Sequence, residues 1–149
     1  MIALLDINVL VALAWPNHIH YSPARKWFQK QKESGWATCP ATENGFIRIS
    51  SNSRIIPEAR SPMEAALYLK DLTKLQGHVF WGEEASILCG RWIPMEKIHT
   101  YRQVTGAHLL SLAIRNEALL ATFDRGILNL LPEGMKAEDC VCVIPADIA

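Results

Sequence analysis

The chain has 149 residues, half of them hydrophobic and a fifth charged, and its 15 lysines and arginines balance 15 aspartates and glutamates to a formal net charge of zero. A chain of this length forms one ordinary domain that buries about 68 to 70% of the surface its unfolded form exposes, so it needs no disulfide or metal staple to fold. The even charge excludes a domain that draws nucleic acid through a whole-molecule positive field, no apolar stretch reaches the roughly 20 residues of a membrane span, and no basic region precedes the N-terminal apolar run, which points to a cytoplasmic location.

Ile2-Ala3-Leu4-Leu5 is an apolar run that ends at Asp6, the pattern of a buried strand delivering a carboxylate. Val9, Leu10, Leu13 and Ala14 then recur at helical spacing until Pro16 and Asn17 stop the run. Ser22 as N-cap with Pro23 in the first helical position predicts a second helix, which Ser34-Gly35 ends. A short strand, Trp36 to Cys39, meets Pro40 in the first turn of a third helix that carries Glu43 near its beginning. Ser61-Pro62-Met63-Glu64 combines a capping box with a first-turn proline and opens a helix through Leu67, Leu69 and Leu72. His78 to Trp81 reads as a strand, whereas residues 82 to 100, broken by Gly82, Gly90 and Pro94, carry no single pattern. A mostly buried helix from Thr105 leads to a second apolar run, Leu119 to Phe123, which ends at Asp124, and Cys140 to Ile144 is the last strand. Strands alternating with helices imply an α/β fold around a parallel sheet, with no repeat or linker to divide it.

Asp6 and Asp124 therefore lie at strand ends, on the carboxyl edge where open parallel sheets bind ligands, and Glu43 lies in the first turn of a helix that follows another strand. Each acid alone is also explained as a helix cap or a first-turn charge. Together they point elsewhere, because two ionised carboxylates about 4 Å apart repel by on the order of 4 kcal/mol unless a cation or proton lies between them. Oxygen ligands of this kind suit Mg²⁺ or Mn²⁺, which keep several waters and are completed by phosphate. Asn8 and Thr122 each stand two positions from a proposed ligand, where they would orient a carboxylate or a metal-bound water. His18 and His20 fall in a loop, and Trp27, Trp36 and Trp81 belong to packing faces. The four cysteines, Cys39, Cys89, Cys140 and Cys142, show no C-x-x-C pair and read as buried reduced thiols.

The segments Leu5-Asp6-Ile7-Asn8-Val9-Leu10, Thr42-Glu43-Asn44-Gly45-Phe46-Ile47-Arg48, and Thr105 to Ala113 leading into Ala121-Thr122-Phe123-Asp124-Arg125 resemble, in order, those of a PIN-domain ribonuclease, in particular a VapC-type toxin of a bacterial toxin-antitoxin pair. The resemblance implies one PIN-like domain over residues 1–149, with three layers and a parallel sheet of about four to five strands flanked by helices. It implies metal-dependent RNA cleavage, homodimerisation, and neutralisation by a cognate VapB-like antitoxin, and it places the catalytic metal ligands at Asp6, Glu43 and Asp124. Arg48 and Arg125 are the expected RNA-phosphate contacts. Where the family carries a further aspartate, this chain has Gly106. That departure gives a second reading, a weakened or non-cleaving protein that binds RNA or antitoxin. A receiver-like signalling domain is a weaker rival, because Pro145-Ala146-Asp147 stands where that family needs a lysine.

Overall fold

A computed structural model describes residues 1–146, so Asp147 of the segment after the last strand lies outside the described residues. The strands are β1 (Ala3–Leu5), β2 (Trp36–Thr38), β3 (His78–Phe80), β4 (Leu119–Thr122) and β5 (Val141–Val143). The helices are α1 (Ile7–Ala14), α2 (Tyr21–Ser34), α3 (Pro40–Ser50), α4 (Pro62–Leu72) and α5 (Val104–Arg115). All five strands are parallel, in the order β3-β2-β1-β4-β5. The chain builds outward from β1 on one side, then returns to its other side with β4. The crevice between β1 and β4 is therefore the topological switch point, the position at which such sheets bind ligands.

Alternation along β1 divides the core. Ala3 and Leu5 join Val9, Leu10, Phe28, Phe46 and Leu69 on the face covered by α1 to α4. Leu4 joins Ile93, Leu109, Leu110, Leu112 and Leu130 on the face covered by α5 and the segment before it. Every residue of β1 is buried because both faces are covered, which is why its sequence is continuously apolar rather than alternating. Trp36 is fully buried, set edge-on to Phe28, and its indole N–H donates to the Gln76 carbonyl at 3.0 Å.

Two expectations from the sequence are corrected. Helix α2 begins at Tyr21, before Ser22, with His20 as an N-cap that makes no side-chain capping bond. Pro23 is still accommodated, because the N–H groups of a first turn have no partners inside the helix. Of the cysteines, Cys39 and Cys140 are buried, but Cys142 is only partly so and Cys89 is exposed, with its thiol donating to the Ser86 carbonyl. The unpatterned stretch before α5 holds three one-turn 3-10 helices, Ile87–Cys89, Met95–Lys97 and Tyr101–Gln103. No helix among the described residues is long and apolar enough to cross a membrane.

Candidate active site

At the switch point the backbone ladder of β1 continues one step past its last residue, with the Asp6 N–H donating to the Ala121 carbonyl at 2.9 Å. That bond brings the end of β1 level with the end of β4. Asp6 caps α1 by accepting the Ile7 N–H on Oδ1 at 2.7 Å, and its Oδ2 accepts the Thr122 hydroxyl at 2.7 Å. Thr122 is buried and saturated, since its oxygen accepts the Asn8 side-chain amide at 3.2 Å and the Asp124 N–H at 3.1 Å. Asn8 also accepts the Phe123 N–H at 3.4 Å. Asp124 accepts the Gly126 N–H on Oδ1 at 2.8 Å, which leaves Oδ2 without a hydrogen-bond partner among the described residues. One threonine hydroxyl thus links both strand-end acids, and Asn8 holds that threonine from α1.

The electrostatics follow from this placement. Burial pushes the Asp6 carboxyl above the usual carboxylate range, the negative charge of Asp124 pushes in the same direction, and the bonds from Thr122 and Ile7 pull back without cancelling the rise. A cation beside the pair would offset both penalties. Asp6 and Asp124 line one cleft of about 260 Å³ together with Arg102, Thr105, Gly106 and Asn129. Larger cavities lie elsewhere, among them an apolar groove of about 520 Å³ bounded by Trp15, Phe46, Leu67 and Tyr68.

Glu43 sits in the first turn of α3, as the sequence implies, but it is not among the residues that line this cleft. Its Oε2 accepts the Thr38 hydroxyl at 2.7 Å, and the same hydroxyl is 2.8 Å from His78 Nε2. The hydroxyl has one proton and spends it on Glu43, so the His78 Nε2–H is the donor to Thr38. Burial holds His78 below the usual imidazole range against the opposing pull of Glu43. Among the described residues no three histidine, cysteine, aspartate or glutamate side chains are grouped closely enough to hold a metal ion. The donor set that is in place, two carboxylates with room for water, fits a hard cation that keeps most of its hydration shell.

Gly106 also lines the cleft, in the first turn of α5. A Cβ there would meet only the Cδ1 of the buried Ile127, at 3.1 Å, the end of its side chain. Arg48 and Arg125 are both exposed, and neither lines the cleft. The basic residue that does is Arg102, in a segment whose sequence carries no periodic signal to mark it. Two other ties were also invisible in the sequence. Glu83 accepts the Ala41 N–H at the start of α3 on one oxygen and bonds His108 of α5 through the other. His20 stacks on Phe123 with ring centroids 4.5 Å apart, so the loop histidine packs against the residue preceding Asp124.

No family model matches the chain, but individual relatives do. It is 40% identical over 135 residues to Ribonuclease VapC39 of Mycobacterium tuberculosis, an alignment covering 91% of this chain and 97% of that protein. Against Ribonuclease VapC38 of the same organism it is 45% identical over 134 residues, covering 90% and 93% of the two chains. Ribonuclease VapC44, also from M. tuberculosis, is 40% identical over 137 residues, with 91% and 96% covered. With matches at this level spanning nearly the full length, and with strand-end acids gathered at the switch point of a parallel sheet, the chain belongs to the VapC ribonuclease family.

Proposed function

We propose that this protein is a metal-dependent endoribonuclease that hydrolyses RNA phosphodiester bonds in the cleft between β1 and β4, and that it acts as a VapC-type toxin. The observation that carries the reading is the Thr122 hydroxyl, bonded at once to Asp6 and to the backbone of Asp124 between the two central strands. A Mg²⁺ or Mn²⁺ ion bound there supplies polarisation of the phosphoryl oxygen and a lowered pKa for the attacking water. Asp6 and Asp124 hold the cation, and Thr122 and Asn8 fix the direction in which those carboxylates face. Glu43 is the third carboxylate of the proposed site, although Thr38 holds it outside the lining of the cleft, so that Asp6 and Asp124 are the primary ligands. The Glu43 Oε2 is taken by Thr38, which leaves Oε1 for this role. The N-terminal turn of α5, where Thr105 and Gly106 line the cleft, presents partial positive charge to a phosphate. Arg48 and Arg125 are assigned to phosphates farther along the strand. A VapB-like antitoxin and a homodimer belong to the same proposal, and the apolar groove beside Phe46 and Tyr68 offers the antitoxin a surface.

The test is cleavage of structured RNA by purified protein in Mg²⁺ or Mn²⁺, in EDTA, and by Asp6→Asn. Cleavage that needs the metal and disappears in Asp6→Asn is the expected result. Equal cleavage by both proteins identifies a contaminating nuclease, and tight RNA binding without cleavage in any metal overturns the enzymatic reading.

A further inference from the structure

The cleft that holds Asp6 and Asp124 has a negative floor, and the protein has no net charge with which to offset it. A polyanion entering it needs a local cation. Among the residues lining the cleft, Arg102 is the one basic side chain. Among the described residues it has no carboxylate partner within ion-pair distance, although two acids share its cleft. Its Nε donates instead to the neighbouring Tyr101 hydroxyl at 3.3 Å, and its Cζ lies 5.7 Å from the Tyr101 ring centroid. The terminal nitrogens of the guanidinium make no hydrogen bond among the described residues. Tyr101 is 81% exposed, a large aromatic side chain open to solvent on the residue that precedes the cleft-lining Arg102.

This pair stands on a fixed base. Gln103 Oε1 accepts the N–H groups of both His99, at 2.7 Å, and Thr100, at 3.0 Å, and the one-turn helix Tyr101–Gln103 runs directly into α5. A guanidinium fork and an aromatic side chain are thus carried on a bonded segment that leads directly into α5, whose first turn lines the same cleft as the acids.

We propose that Arg102 and Tyr101 form a substrate clamp, in which the guanidinium binds an RNA phosphate flanking the scissile one and the Tyr101 ring stacks on the adjoining unpaired base. The clamp rests on the cleft being the nuclease site, and it makes both residues positioning and specificity groups for that reaction. Base–aromatic stacking tolerates any base, so Tyr101 selects for an unpaired nucleotide more than for its identity.

The experiment measures binding of a fluorescein-labelled single-stranded oligoribonucleotide of mixed sequence to the Asp6→Asn protein, across a salt series, with and without Arg102→Ala, Arg102→Lys, Tyr101→Ala or Tyr101→Phe. Loss of one phosphate contact in Arg102→Ala is expected to lower the slope of log Kd against log salt by about 0.7, while Arg102→Lys keeps that slope. Tyr101→Ala is expected to weaken single-strand binding about 10-fold and leave a blunt RNA duplex unaffected, and Tyr101→Phe to keep most of the affinity. Equal melting temperatures across the set, and equal Mn²⁺ affinity when the same clamp substitutions are placed in the protein with Asp6 intact, separate the clamp from a structural role. An unchanged salt slope in Arg102→Ala overturns the phosphate contact, and equal losses on single strand and duplex overturn the stacking. If the protein with Asp6 intact binds RNA without cleaving it in any metal, the nuclease assignment itself fails; if cleavage is lost in Asp6→Asn while all clamp variants bind like the Asp6→Asn protein, only the clamp fails.

Discussion

Gly45 of α3 lies so close against Ile7 of α1 that a Cβ on Gly45 would stand 2.7 Å from Ile7 Cγ1 and nearer still to Cδ1. Ile7 follows Asp6 directly, and Gly45 is two residues beyond Glu43. The absence of one methyl group therefore sets how near the two helices that carry these acids at their N-terminal ends can approach. Gly45→Ala is expected to cost about 1 to 3 kcal/mol by overpacking and to lower RNA cleavage as well. Adding Ile7→Ala should recover part of both, a coupling that a double-mutant cycle by chemical denaturation and cleavage rate will read directly.

Thr122→Val removes the hydroxyl that joins Asp6 to Asp124 while keeping the buried shape. Metal affinity or cleavage is expected to fall by about 10- to 100-fold, the usual effect of losing a group that orients a ligand. The Thr122 bond pulls the Asp6 carboxyl down against burial, so its loss raises Asp6 further and moves the acid limb of the pH–rate profile to higher pH. The sign for stability is the reverse of the ordinary carboxylate. A folded-state pKa above the unfolded one gives Asp6 a contribution that is present at low pH and lost as pH rises through the folded value. Mn²⁺ should accordingly raise the melting temperature more at neutral pH than in acid, and should do so much less in Asp6→Asn.

Gly106→Asp puts a carboxylate into the cleft at the first turn of α5, where the helix dipole favours it and Ile127 Cδ1 has only a few tenths of an ångström to give. Calorimetry should show tighter Mn²⁺ binding than the parent protein. Unchanged affinity would mean that the glycine is not the position of a missing ligand.

Glu83 ties the segment before α5 to both α3 and α5, and burial alone would raise its carboxyl. The Ala41 N–H and His108 outweigh that and hold it below the usual range. A depressed pKa contributes stability above the unfolded value that is lost as pH falls through the folded one. Glu83→Gln should destabilise by about 1 kcal/mol at neutral pH, as for a lost helix cap. The gap in melting temperature between parent and variant should shrink as the pH is taken below about 4, the range of an unperturbed glutamate.

The elements with one dominant local signal were legible in the chain. β1 and β4 read as apolar runs closed by an acid because strands buried on both faces have no polar alternation, and α4 was marked by Ser61, which accepts the Glu64 N–H as a capping box requires. The start of α2 was misread because Ser22-Pro23 imitates a cap, whereas His20 begins the helix with backbone bonding alone. What the chain could not reveal depends on side chains that meet across long separations. Glu43 is held through Thr38 by His78, 40 residues beyond that threonine, and Glu83 reaches 42 residues back to Ala41. Arg102 escaped notice for a related reason, since a one-turn helix is too short to impose periodicity, and only the packed fold shows that it borders the acids.

The Thr122–Asp6 bond spans 116 residues of chain. During translation, the first acid leaves the ribosome long before the threonine and the second acid that it joins. The two strand-end acids can therefore meet only once β4 has emerged and paired with β1.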